Sequence, residues 1–461
     1  MSALVLVPAL ICLFLVVRGR TETAFLSVYL PTLFLLPVSY ATRVPHLPPL
    51  SISMAAVIPI GVAAIFRFVR KGRLAIMDIL VVSFMISLAL SEVLKEHVQN
   101  DGIFTAISSF IEMFLPYAVG RMLIEPGLRL TTVRRIVVLV LFLGLPGLYS
   151  WRMQMNPYAP FGKIVFGADM SSAVQVRGGH GRMASAFTDA EIAGAAFGMV
   201  AVLNAWLVYL YKRRLGAKLG ETLGKMEKYH VAGILLVMYV ALTQSRGPLA
   251  GLAVAYLLLQ IPRFKNTKRA TAVIAVVLSI GVVAANQYFT HYTDITDPYA
   301  VLDEKQESAV YRRTMLEVFK PVVEQGGLLG WSYGSIPKVQ GLFMIRPGVQ
   351  SVDNDFLFVH LAQGTLGYIL MVLIAVESVR VPLVRSWRFK ALEDRAFAFS
   401  MLGIMAILWI TLTTVAMGEQ LPQIAYLMIG WGQSIAPGFT ESATSAGVAS
   451  PGKFAFKRIF R

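Results

Sequence analysis

Charge is scarce in this 461-residue chain: 15% of residues are Asp, Glu, Lys or Arg, while 56% are hydrophobic. Soluble domains carry roughly 25% charged residues. With a mean hydropathy of +0.65, a soluble globular chain is excluded. Cysteine is nearly absent too. The single one, Cys12, lies within an apolar run, which rules out an intramolecular disulfide and a thiolate metal site. It leaves the redox compartment open. There are no internal repeats, and low complexity is confined to the small-residue stretch GFTESATSAGVASPG, expected to be a disordered tail.

What the chain has instead is long apolar runs separated by clustered charge. Together they describe an all-α polytopic membrane protein. About thirteen spans are expected, near 2–17, 24–41, 50–66, 74–93, 102–120, 136–150, 187–210, 230–244, 247–261, 270–287, 355–379, 396–416 and 421–438. The first run leads straight into RGRTET without a small-residue cleavage pattern and reads as a span rather than a signal peptide.

The net charge of +16 is unevenly placed. Alternate connections are rich in Lys and Arg: RGR, RFVRKGR, KRRLGAKLG, RFKNTKR, RVPLVRSWRFK and the tail GKFAFKRIFR. That is the positive-inside asymmetry, so the charge is a topology signal with affinity for anionic lipid headgroups and not a nucleic-acid footprint. The N-terminus is placed outside and the C-terminus inside. The expected organisation is one transmembrane domain over 1–440, with outer loops at about 151–186 and 288–354, and a basic cytoplasmic tail at 441–461. Loops this long are functional or disordered as a rule, and these are too aromatic and apolar to be plain linkers.

Four places carry candidate chemistry. In MYVALTQSRGPLAG, Arg246 sits on a short outer connection, with Gly247 and Pro248 expected to make the turn and Gly247 and Gly251 to allow close helix packing. A snorkelling arginine is the plain reading. Against it, a guanidinium at a helix amino end meets the positive pole of the dipole, which makes sense where an anion docks, and guanidinium grips phosphate bidentately. In the large outer loop, an amphipathic helix is expected from Ser308 to Lys320, ended or kinked at Pro321. Arg313 should pair with Glu317 at i,i+4. Arg312 falls in line with Leu316, Phe319 and Val323, which calls for either an unseen carboxylate partner or a ligand.

The third place is SVDNDFLFVHLAQGTLG. Ser351, Asp353 and Asn354 could each cap the helix that follows, and Asp353, Leu357, His360, Gly364 and Gly367 would share one face. Asp353 could accept a proton, with His360 as the alternative base; packing is the plain reading of the histidine. The fourth is VRGGHGRMASAFTDAE, where Arg177, His180, Arg182, Asp189 and Glu191 form either an anion- or sugar-binding cluster or a set of surface pairs. Glu112, at membrane depth, is functional by default or an interhelical hydrogen-bonding group.

Taken in order, TQSRGPLAG, the YRR…GGLLGWSYG run and VDNDFLFVHLAQGTLG resemble the bacterial O-antigen ligase and O-antigen polymerase family, and PYAVGRMLI at 116–124 is similar as well. The motifs cover about 240–370. The resemblance implies a membrane glycosyltransferase of the C-type class, working without metal or cofactor on an undecaprenyl-diphosphate-linked oligosaccharide at the outer face of the bacterial inner membrane. Arg246 and Arg312, with Arg313 and Arg182 as further candidates, would hold the diphosphate, and Asp353 would orient or deprotonate the acceptor hydroxyl. Membrane lipids, a chain-length regulator and a flippase are the partners it suggests.

One departure matters. Ligases of the family carry a His directly before the Asn of the last motif, and here that position is Asp353, so that the VDN form looks more like the capsule and exopolysaccharide polymerase branch. Polymerisation is therefore favoured over ligation to lipid A-core or protein. No nucleotide-binding glycine loop, Walker motif or Asp-x-Asp pair occurs at a cytoplasmic position. The rival class is a lipid-linked sugar or polysaccharide transporter, which should instead place its polar groups near the midplane in inverted pairs. A purely structural assembly subunit ranks third, with the arginine hairpin against it.

Overall fold

Each apolar run folds into helix at the expected place. The computed structural model describes residues 3–43, 47–71, 74–95, 99–214, 219–294, 304–336 and 352–437. Ser351, the expected tail and parts of the large outer loop lie outside these residues. The helices are α1 (Val7–Val17), α2 (21–35), α3 (Ile52–Lys71), α4 (Ile76–Lys95), α5 (99–123), α6 (Pro126–Met153), α7 (Tyr158–Phe166) and α8 (Ala190–Arg214). They continue as α9 (Leu219–Leu242), α10 (Arg246–Leu258), α11 (Thr267–Thr293), α12 (Glu304–Gly326), α13 (Asp355–Arg388), α14 (Leu392–Leu412) and α15 (Leu421–Ser434). Among the described residues, strands are limited to two two-residue hairpins.

Seven of these helices are long and apolar enough to cross a membrane, fewer than the thirteen spans expected: those at Ile52–Arg70, Ile76–Leu94, Gly102–Leu123, Ala190–Lys212, Thr267–Thr293, Asp355–Arg388 and Leu392–Leu412. The remaining runs are helical but shorter, more polar or interrupted. α10 has 13 residues, about 20 Å at the helical rise, against a hydrocarbon core of about 30 Å. α2 is interrupted by a π turn at Phe25–Tyr29. The protein is an all-α polytopic membrane protein in which burial is graded. α8 and α14 form the centre, with 83% and 78% of their spans buried, while none of the α11 span is.

The bundle has two chemically different ends. At one, three arginines converge on the carboxyl end of α15, where the last carbonyls have no helical partner. Arg121 donates to the Gln433 carbonyl at 3.0 Å, and Arg385 to Gln433 and Ile435 at 2.8 and 2.7 Å. Arg129 donates to Ala436 at 2.8 Å and pairs with Asp394 at 2.8 Å. The basic segment 262–269 lies at this end, tied to it by Arg395 and Thr267. The amino ends of α8, α10 and α13 lie at the opposite end together with α12, so Arg246 and the large loop share a side, as the topology requires.

α13 is not one continuous helix. Gly364 takes φ 64° and ψ −163°, which breaks it. The segment 327–332 fills the gap. Trp331 N–H donates to the Leu361 carbonyl at 2.8 Å and Ser332 N–H to Ala362 at 2.9 Å, while Thr365 and Leu366 donate to Gly327 and Leu328 at 3.1 Å each. Every group freed by the break at these positions finds a backbone partner, as a non-aqueous surrounding demands. Gly330 (φ 71°) and Gly364 meet backbone to backbone, and a Cβ on either would collide with the other strand. The face read through Gly364 and Gly367 is therefore interrupted.

Candidate functional site

The turn that presents Arg246 is built differently from its sequence reading. Gly247 and Pro248 already belong to α10, and the reversal falls on Thr243–Ser245, with Gln244 in the left-handed region at φ 53°. Its strain is offset by bonds to the carbonyls that end α9. Met183 N–H donates to the Leu242 carbonyl at 3.2 Å, Arg182 Nε to Thr243 at 3.1 Å, and Arg177 Nη1 to Gln244 at 3.0 Å. Cations suit this pole of the dipole. Arg177 and Arg182 reach it from the hairpin Val176–Arg177/His180–Gly181, whose central Gly178 and Gly179 both have positive φ, as a two-residue hairpin turn requires.

All three nitrogens of Arg182 are engaged. Beyond Thr243 it bonds Gln175 Oε1 at 2.6 Å and Ser245 Oγ at 2.7 Å, and it stands 3.7 Å from Glu191. Burial lowers the pKa of this guanidinium, with Arg177 adding to the effect and Glu191 opposing it. Arg246 is the contrast: exposed, it forms no hydrogen bond or ion pair among the described residues. Ser245 Oγ accepts from Arg182 and donates to the Thr243 carbonyl, and it does not cap α10. Among the described residues, the amino end of α10 thus retains unpaired N–H groups beside a guanidinium without a partner. Gly247 and Gly251 permit close packing on α14: a Cβ on Gly251 would stand 2.7 Å from Ile407 Cα.

Of the two readings open for Arg312, a carboxylate partner or a ligand, the structure supplies a carboxylate. It lies 3.7 Å from Glu191, the same carboxylate that faces Arg182. α12 extends from Glu304 through Pro321 to Gly326, and Met315, Phe319 and Val322 form its buried stripe against α13, while Leu316 is exposed. Arg312 heads that stripe, held at the rim by a small core of its own. Arg313 pairs with Glu317 at 3.5 Å as expected, and also donates to Thr293 Oγ1 at 3.3 Å. His180 stacks on Trp151 and is exposed. Asp189 caps α8, accepting from Glu191 N–H at 2.5 Å.

At the start of α13 the capping falls to Asn354, whose Oδ1 accepts from Leu357 N–H at 3.1 Å. Asp353 is therefore relieved of that role. It is half-buried, forms no hydrogen bond among the described residues, and lies close enough to Glu191 to repel it electrostatically. His360 stacks on Tyr368 at 4.7 Å across the helix break and is not brought to this cluster.

Next to the arginines is a cavity of about 580 Å3 that the sequence did not announce as a unit. Tyr333, Phe358, Trp409 and Tyr426 line it together with three carboxylates, Glu112, Asp355 and Glu419. Asp355 is 3% exposed and accepts from Met417 N–H at 2.8 Å. Glu419, in the loop before α15, accepts from Thr188 N–H at 2.8 Å, which ties the cavity to the Asp189–Glu191 end of α8. Burial raises the Glu419 pKa to about 7. Glu112 stands on the π turn Phe110–Phe114 of α5, a distortion frequent at functional sites. The surroundings of Asp355 and Glu419 come from remote segments, and only the deep position of Glu112 carried a sequence signal.

Residues 231–372 match the family model described as O-antigen ligase. Over that segment the chain is similar to the O-antigen ligase and polymerase family, and its apolar helices make it a multi-pass membrane protein. The matched segment contains Arg246, Arg312, Arg313, Asp353 and His360, whereas Arg182, Glu191 and Glu419 lie outside it. No curated protein matches the chain.

Proposed function

We propose that this protein polymerises undecaprenyl-diphosphate-linked oligosaccharide repeat units at the outer face of the inner membrane, in the synthesis of a surface or exported polysaccharide. The acceptor hydroxyl attacks the anomeric carbon of the donor sugar. The bond to the diphosphate oxygen breaks, and the lipid diphosphate leaves with the electron pair. Arg246 and the amino end of α10 meet the developing negative charge, which is where fixed donors accelerate transfer most. Arg312, held to Glu191 only at 3.7 Å, can turn to the diphosphate at little cost. Arg182 positions the turn that carries Arg246. Asp353 orients the acceptor hydroxyl and takes its proton, and the neighbouring cavity, with its aromatic rings and carboxylates, is suited to the acceptor sugars.

The observation that carries this reading is the unpaired Arg246 beside the Arg312–Glu191 pair and an uncommitted Asp353. The presence of Asp353, where ligases of the family have His, favours polymerisation over ligation. In liposomes supplied with purified lipid-linked repeat units, Arg246→Lys should lose roughly 10²–10³-fold of polymer formation with unchanged expression and insertion, because lysine cannot form the bidentate fork. Chelator should leave the wild-type rate unchanged. Near-normal polymer from the lysine variant would reduce Arg246 to a snorkelling residue, and loss on chelation would mean that a metal neutralises the diphosphate.

A further inference from the structure

A second cavity, of about 730 Å3, opens at the opposite, basic end between α8, α9 and α10, with α14 behind it. α9 and α10 are joined at the Thr243–Ser245 turn and enclose this space at their far ends. Gly233 leaves room on α9 where a side chain would face Asn204 Nδ2 at 3.1 Å. Ile234 and Val237 form one wall, and Tyr256 and Leu259 the other. The mouth carries Lys212, His230 and Arg263, and no carboxylate is among the described residues that line it. Lys212 is exposed and makes no hydrogen bond or ion pair among the described residues. Arg263 is also exposed, and one of its nitrogens bonds Gln260 Oε1 at 2.5 Å.

The inner end of the mouth is polar. Asn204 is 1% exposed, and its Nδ2 donates to the Tyr229 carbonyl at 2.7 Å. Asn204 is among the residues that line the cavity, and its Oδ1 is buried without a donor among the described residues. That bond places Asn204 level with Tyr229 and His230, where the charged KMEKYH gives way to the apolar VAGILLV. This is the depth of a lipid headgroup.

We propose that this cleft is a binding site for an anionic phospholipid with a hydroxylated headgroup, of the phosphatidylglycerol class. Lys212 and Arg263 take the phosphate, the headgroup hydroxyl donates to Asn204 Oδ1, and an acyl chain lies between Val237 and Tyr256. Basic pockets between spans on the cytoplasmic side recognise anionic headgroups in this way, at about 1 kcal/mol for each Lys or Arg near the surface.

The test uses full-length protein in phosphatidylcholine vesicles doped with phosphatidylglycerol carrying a diazirine in its acyl chain. Photolabelling should fall on peptides of α8, α9 and α10 and exceed that by the same probe with a choline headgroup. Lys212→Glu combined with Arg263→Glu should reduce it roughly tenfold or more. Val237→Trp should abolish it by filling the cleft with the charges intact, so that either variant decides should the other fail to fold. Phosphatidic acid, which lacks the headgroup hydroxyl, should compete less well than phosphatidylglycerol, and inorganic phosphate should not compete. Equal labelling by the choline probe, or labelling unaltered in a folded variant, overturns the proposal. Preferential displacement by polyprenyl phosphate also overturns it, by assigning the cleft to the carrier lipid.

Discussion

Arginines gather at both ends of this bundle, yet the two ends treat them oppositely. At the basic end Arg121, Arg129 and Arg385 are bound to the carbonyls that end α15, and Arg129 is locked to Asp394 at 2.8 Å. At the other end Arg246 has no partner among the described residues and Arg312 keeps its carboxylate at 3.7 Å. The same side chain serves as a helix cap in one place and as an open cation in the other. An exposed guanidinium without a protein partner keeps its donors available, and a phosphate is the anion its fork grips best.

The sharpest way to break this contrast is Asp353→Asn. Because Asn354 is the cap, the substitution should leave folding unchanged while polymer formation falls roughly 10²–10⁴-fold. His360→Ala, on the stacked histidine, should cost far less. Full activity in the Asp353 variant would leave the proposed reaction without its base. At the basic end the effect should be on stability instead. Arg129→Met strands the buried Asp394 carboxylate, so about 3–5 kcal/mol of stability should be lost, read as reduced thermal stability in detergent. The turnover of whatever folds should be close to normal. A folded but inactive Arg129 variant would erase the distinction between the ends.

The smallest effect is a pH dependence. Glu419 has its pKa raised from 4.5 to about 7 by burial, so between those values the folded state holds more protons than the unfolded chain. The contribution of this group to stability is therefore greatest below about pH 4.5 and declines as pH rises towards 7. Glu419→Gln should flatten that decline in a melting series across the window while keeping the acceptor for Thr188. An unchanged slope would show the carboxyl to be ionised throughout.

The apolar runs and the arginine hairpin were legible because hydropathy and an unexpected charge are local signals. A carboxylate opposite Arg312 was one of two readings the sequence left open, the other being a ligand, and its identity as Glu191 depends on a contact across more than a hundred residues. Arg177 and Arg182 look like a binding cluster in sequence, whereas their donors are largely spent on α9. The break at Gly364 gave no warning at all. A single glycine in an apolar run costs a helix only about 1 kcal/mol, and what stabilises the broken form comes from another segment.

That break also bears on how the protein matures. Segment 327–332 leaves the ribosome before α13, but its backbone partners, Leu361, Ala362, Thr365 and Leu366, are synthesised later. Until the two meet, the middle of α13 is in the bilayer either as an unbroken helix or with bare polar groups that cost several kcal/mol each. Docking of the segment is then a late step of biogenesis, completed after insertion from the side that holds the large loop. It would couple the assembly of the rim, with Arg312 at its edge, to the final shape of a membrane span, and a quality-control protease could read the unfinished state.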